Sequence, residues 1–287
     1  MGEEKHNVQK QNIQDTDCDL SERIRDVTKK VHTQANNTEL MQAFQRGNIT
    51  LMQYKLLLCS FYKIYEALEE ELDSNASHKS VAPIYFPQEL ARMEVLKKDL
   101  EHFYGQNWRT KMIVPAATLR YTQRLREIGR LYPEYLVAHA YTRYLGDLSG
   151  GQALSRVPQK CLGLKNGDGL AFFSFPAISS PNLFKQLYRS RMNSIELMEK
   201  QEKGVLEEAV RAFELNIQVF NEIQDMLSPS EKNEIRQQTK AYLKIPVIKA
   251  YESSALPFLP FGSQILRMLF GVCLALAVGI GISAQIL

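Results

Sequence analysis

"AHAYTRYLGDLSGGQAL", residues 138–154, is the stretch on which the reading of this chain turns. Its flanks are helical in character, yet Gly146, Gly150 and Gly151 stand in its middle. A glycine inside a helix costs about 1 kcal/mol relative to alanine, so three give up about 3 kcal/mol of a total stability of roughly 5–15 kcal/mol. The missing side chains make room for something: a second helix packed close, or a ligand laid against the backbone. At helical spacing His139, Arg143, Gly146, Asp147 and Gly150 share one stripe, so the bare backbone and a lone carboxylate face the same way. An ionised carboxylate inside a dry helix contact is costly unless paired, which weights the reading toward a wet pocket.

Outward from this segment the chain reads as helix throughout. Asp19 and Glu22 predict a capping box for a first helix along which Leu20, Ile24, Val27, Val31 and Ala35 recur at helical spacing. Beside that apolar stripe stand Arg25, Lys29 and His32, at i, i+4 and i+7. The pattern suits a flat ligand whose metal takes the imidazole and whose carboxylates reach the cations, which is the chemistry of a heme. It also suits a solvated basic face with a structural histidine. Further helices are predicted over 50–73, near 87–105 and 115–130, from Pro133 through the glycines, and near 181–200 and 203–227; "GLAFFSFP" (169–176) is the one β-like patch. On the last helix Leu206, Phe213, Asn216, Phe220, Ile223 and Leu227 share a stripe, with Asn216 a polar residue in an apolar row, either a satisfied core amide or a functional one.

Composition narrows the partners. The 287 residues carry 35 basic and 32 acidic side chains, a net charge of +3, interspersed rather than massed, so no nucleic-acid partner is implied. Cys18, Cys59, Cys161 and Cys273 show no metal or disulfide spacing, which fits a reducing compartment. Residues 1–18 are polar and lack an apolar signal core, so a disordered arm is expected there. A flexible, proline-punctuated linker is expected over 228–264. Residues 268–287 carry no charge, and twenty helical residues span about 30 Å, so 265–287 is expected to be a C-terminal tail anchor with the remainder facing the cytosol. Gly271, Ala275, Gly279 and Ser283 form a small-residue face through which that anchor would form a homo-oligomer.

"KKVHTQA" (29–35), "YEALEEEL" (65–72), "VAPIYFP" (81–87), "YLVAHAYTRYLGDLSGGQ" (135–152) and "FKQLYRSRMN" (184–193) closely resemble the vertebrate heme oxygenases over roughly Leu20 to Leu227 and the tail. No cysteine here is followed by proline, so the chain is more similar to the inducible than to the constitutive form. The resemblance implies an all-α fold, a helical bundle over 19–227 with heme sandwiched between a proximal helix bearing the iron ligand His32 and a distal helix kinked at Gly146 and Gly150. It implies that Arg25, Lys29, Lys185 and Arg189 hold the propionates, with Tyr141 also at the heme, and that Phe213 and Phe220 line an apolar wall. Asp147, with Tyr65, Tyr121, Arg143 and Asn216, would order water on the distal side. Heme would be both substrate and prosthetic group, opened at the α-meso carbon to biliverdin, carbon monoxide and ferrous iron. O₂ and NADPH electrons would come through NADPH–cytochrome P450 reductase at the endoplasmic reticulum membrane, with biliverdin reductase a further partner. Two positions depart from the family pattern. Asn36 stands where a glutamate usually follows the ligand histidine by four, which should weaken the histidine slightly as a donor, and Arg25 replaces the usual lysine.

Overall fold

The computed structural model describes residues 19–227, and every regular element among them is helical. Helix α1 spans Leu20–Asn36, α2 Glu39–Gln45, α3 Leu51–Ser74, α4 Pro87–Leu90, α5 Met93–Tyr104, α6 Trp108–Lys111 and α7 Ala116–Leu131. Helix α8 spans Leu136–Ala140, α9 Gly146–Cys161, α10 Pro181–Asn193 and α11 Glu199–Asp225, with short 3₁₀ turns at Ala82–Ile84, Pro133–Tyr135 and Ala171–Phe173. The expected arm, linker and anchor lie outside the described residues, and no helix among the described residues is long and apolar enough to cross a membrane.

The long helix α3 is the axis of the core. Its start is fixed by a capping box: the Gln53 N–H donates to the Thr50 hydroxyl (3.1 Å) and the Thr50 N–H donates to the Gln53 side chain (2.8 Å). Nearly all its faces are buried, Tyr54, Leu58, Tyr65 and Leu68 completely or almost so, which is why its apolar pattern runs round the helix. Helices α5, α7 and α11 pack around it, and α1 lies along α11 through Val31, Ala35 and Phe213.

The predicted elements hold with local corrections. Asp19 is the residue before α1, but its side chain makes no capping bond, so the expected capping box is absent. The helix expected near 87–105 is two, broken at Ala91–Arg92, where the Arg92 N–H donates to the Glu69 carboxylate (2.6 Å) instead of to a helical carbonyl. The helix expected to reach 200 ends at Asn193, and α2 and α6 were not foreseen. "GLAFFSFP" forms no strand: it carries the 3₁₀ turn at Ala171–Phe173, pinned by Asp99, whose two carboxylate oxygens accept from the N–H groups of Ala171 (2.7 Å) and Phe172 (2.8 Å). A π-helical turn stands just ahead of the first of the two glycines at which the distal helix was expected to kink. Between α8 and α9 the backbone passes through a π-helical turn, Tyr141–Leu145, and Gly146 opens α9 with ordinary helical angles. A π turn inserts one extra residue into the helical phase, so the segments before and after it face differently than the 3.6-residue spacing predicts.

Candidate functional site

Helix α1 on one side and the α8–α9 segment on the other bound an open cleft with a cavity volume of about 140 Å³. His32, Asn36, Arg143, Gly146, Asp147, Phe213, Asn216 and Phe220 line it, with Phe172 and Phe173 from the 3₁₀ turn. The His32 ring is held edge-on by Phe213, centroids 5.4 Å apart and planes at 85°. Burial lowers the pKa of this imidazole, which favours the neutral ring and leaves a lone pair for a metal. A Cβ built on Gly146 meets nothing within 4 Å, whereas one on Gly129 would collide with the Glu71 side chain and one on Gly204 with the Tyr135 ring. Gly129 and Gly204 are therefore packing glycines. Gly146 instead clears space in the cleft, and the opening alternative of a close helix contact fails at this position.

Asp147 sits one residue into α9, and its carboxylate accepts from the Tyr65 hydroxyl and from Arg143 Nη2 (3.3 Å). Arg143 Nη1 donates to Asn216 Oδ1 (3.0 Å), and Asn216 Nδ2 donates to the Ala212 carbonyl (2.8 Å). Asn216 is thus both a satisfied amide and a cleft residue. The Arg143 guanidinium lies over the rings of Phe61 (4.5 Å) and Tyr65 (5.2 Å). Burial raises the Asp147 pKa, while Arg143, Tyr65 and Arg92 act against that rise. Burial opposes the Arg143 charge, but Asp147, Tyr65 and Tyr121 raise its pKa, so the cation is fixed. Two buried groups on the same cleft wall, Thr142 Oγ1 and Arg143 Nε, have no partner among the described residues, which marks them as contacts for a polar ligand or ordered water.

His139 departs from the predicted stripe. With the π turn between them, it points away from the Gly146 face into the core, where it pairs with the Tyr121 hydroxyl (3.0 Å) and with Glu208 (2.9 Å), and Glu208 holds Arg124 (2.6 Å). Tyr121 is accordingly behind the cleft, as is Tyr65, while Gly150 is buried further along α9. Burial raises the pKa of Tyr141, and the nearby guanidinium groups of Arg189 and Arg25 oppose the rise. Lys185, partly desolvated and beside Arg189, has its pKa lowered, and Lys29 is exposed one turn before His32. These cations do not line the cleft; Arg25 and Arg189 stand near Tyr141, and Lys185 near Arg189. Sequence reasoning did not find Phe172, Phe173, Phe44, Leu57 or Arg92; the double phenylalanine in "GLAFFSFP" was the one visible signal.

The residues fit a heme: a half-buried imidazole on one wall, a bare helix backbone opposite, aromatic sides, and cations on α1 and α10, two packed helices, that could meet carboxylates. The sequence model described as heme oxygenase matches residues 18–222. The heme oxygenase of Takifugu rubripes is 56% identical over 273 residues, 93% of this chain and 94% of that protein, and heme oxygenase 1 of Homo sapiens is 52% identical over 217 residues, 75% of each chain. The crystal structure of heme oxygenase-1 from the cyanobacterium Synechocystis in complex with heme superposes with a TM-score of 0.72 at 36% identity, covering 79% of this chain and all of that one. A relative more than half identical over nearly the whole length, on the same helical fold, places the chain in the heme oxygenase family of heme-degrading oxidoreductases.

Proposed function

We propose that the chain opens heme at the α-meso carbon to biliverdin, carbon monoxide and ferrous iron, with O₂ and with electrons from NADPH–cytochrome P450 reductase. The observation that carries this reading is the pairing of His32 and Asp147 across one cleft, with no side chain at Gly146. Bound heme supplies the iron at which O₂ is reduced; the protein supplies ligation, orientation and protons. His32 donates its imidazole lone pair from α1. Arg25, Lys29, Lys185 and Arg189 would hold the propionates and so would fix how the ring is turned in the cleft. Asp147, itself held by Tyr65 and Arg143, would order water and deliver protons on its side of the bound ring, and the absent side chain at Gly146 keeps that side of the cleft open. Phe213 and Phe220 exclude bulk water from one wall. The uncharged stretch 268–287 supports a tail anchor in the endoplasmic reticulum membrane, where the reductase would be met and the product handed to biliverdin reductase.

The test is to add hemin to the full chain in detergent and record the visible spectrum before and after adding reductase and NADPH. A shifted Soret band followed by conversion to bile pigment is expected. A stable Soret band without conversion would make the protein a heme carrier.

A further inference from the structure

Phe172 and Phe173 close the cleft from a part of the chain that neither α1 nor α9 supplies. Packing alone does not hold both of them there. Phe172 rests on Phe61 (ring centroids 5.1 Å apart), but Phe173 also lines a second cavity of about 540 Å³ between α9 and residues 167–181, which leaves it room to turn away. The main chain that carries the two rings is gripped instead. Asp99 accepts from the N–H groups of Ala171 (2.7 Å) and Phe172 (2.8 Å), while Arg92 Nη1 donates to the carbonyls of Phe172 (3.3 Å) and Ser174 (2.6 Å). The Tyr54 hydroxyl holds the Gly169 carbonyl just ahead of them (2.7 Å). The Arg92 guanidinium also lies 3.7 Å from the centroid of the Phe175 ring.

Arg92 is the residue that opens α5 and Asp99 lies two turns on, so both reach the same stretch from one face of that helix. The Arg92 N–H donates to the Glu69 carboxylate (2.6 Å), which ties the grip to α3, the axis of the core. Both side chains are buried, Arg92 3% and Asp99 1% exposed. Among the described residues the Arg92 guanidinium bonds to main-chain carbonyls, those of Leu90 (2.9 Å), Phe172 and Ser174. Burying charge in this way is costly, and well-packed apolar residues stabilise a core as well or better. What the two charges add is a fixed main-chain geometry.

We propose that Arg92 and Asp99 are positioning residues of the cleft: they hold residues 171–174 by their carbonyls and by their N–H groups, so that Phe172 and Phe173 form a fixed wall that sets how a heme ring is seated. The inference rests on the reading of the cleft as the place where heme is bound and opened. Neither residue touches the ligand; both act through the two rings. With the grip released, Phe173 turns into the cavity behind it and the ring settles in more than one orientation.

The test uses the full chain and three variants: Asp99→Asn, whose amide nitrogen cannot accept, Arg92→Lys and Phe173→Ala. In the heme-free protein the N–H groups of Ala171 and Phe172 should exchange slowly with deuterium, and at least about tenfold faster in Asp99→Asn. Hemin titrations followed at the Soret band should show affinity lowered at least about fivefold in all three variants. With reductase and NADPH, the wild type should give one bile-pigment isomer on chromatography and each variant a mixture, which a merely structural role would not produce. Adding Arg92→Lys to Phe173→Ala should change affinity and isomers no further, because both act on one wall. Slow exchange kept in Asp99→Asn, or fast exchange with wild-type affinity and a single isomer, would overturn the proposal. So would a Phe173→Ala variant with wild-type affinity and a single isomer, even where the charge variants fail to fold. A wild type that binds hemin and opens no ring would remove the reading of ring opening, while exchange and affinity would still decide the wall.

Discussion

Asp147 is held on two sides, by a tyrosine hydroxyl and by an arginine that is itself stacked on two rings, so its carboxylate has one orientation in the cleft. Asp147→Ala removes that carboxylate without touching His32 or the cations of α1 and α10. The variant is expected to bind heme with an unchanged Soret band and to lose ring opening by at least about a hundredfold. When hydrogen peroxide is added to its ferric complex, oxidation of an added phenol should replace ring opening. Asp147→Asn should be milder, because an amide still bonds water. Peroxide-driven ring opening at the wild-type rate in the alanine variant would make Asp147 a structural residue. On the other wall, His32→Ala takes away the one imidazole lining the cleft. Its heme complex should have an altered spectrum and no bile-pigment formation, with both partly restored by added imidazole. Full activity without imidazole would show that another group ligates the iron.

At the scale of the element, the π turn separates what was legible in the sequence from what was not. Spacing of three and four found His32 within the uninterrupted α1, and it put Arg143, Gly146 and Asp147 on one face, all three of which line the cleft although Arg143 belongs to the π turn. It failed for His139, which lies before the extra residue and turns into the core toward Glu208 on α11. No local pattern announces such a turn, since its cost is met by tertiary contacts, and no spacing pairs residues 69 positions apart. The same holds for Asp99, whose carboxylate pins Phe172 from 73 positions away. The knot of Tyr121, His139, Glu208 and Arg124 that joins α7, α8 and α11 has a consequence for stability. Although burial opposes ionisation, bonds from His139 and Arg124 bring Glu208 from 4.5 down to about 2. The unfolded chain therefore binds this proton more readily, and the stability it confers is present above about 4.5 and lost as pH falls toward about 2. Such a shift is worth about 3 kcal/mol at most. Urea midpoints of the wild type and Glu208→Gln should therefore differ at neutral pH and converge in acid; curves separated equally at every pH would contradict the ionised pair.

At the scale of the whole molecule, the cleft between α1 and α9 is shaped for a ligand and not by the needs of packing. The all-helical class and the cleft residues His32, Gly146, Asp147, Phe213 and Phe220 were readable because amphipathic periodicity survives in each long helix. The aromatic wall at Phe172 and Phe173 comes from a chain segment brought against the cleft only by folding. Heme binding should add to stability by mass action, so the thermal midpoint of the full chain should rise on adding hemin. The most direct test uses Gly146→Ala, since a Cβ there meets no side chain or neighbouring element within 4 Å among the described residues. Thermal unfolding should be followed with and without hemin. The account predicts a heme-free midpoint equal to or above that of the wild type, because alanine favours a helix by up to about 1 kcal/mol, together with a clearly smaller rise on adding hemin. A lowered heme-free midpoint with an undiminished hemin-induced rise would show that the glycine serves packing, and would contradict the account.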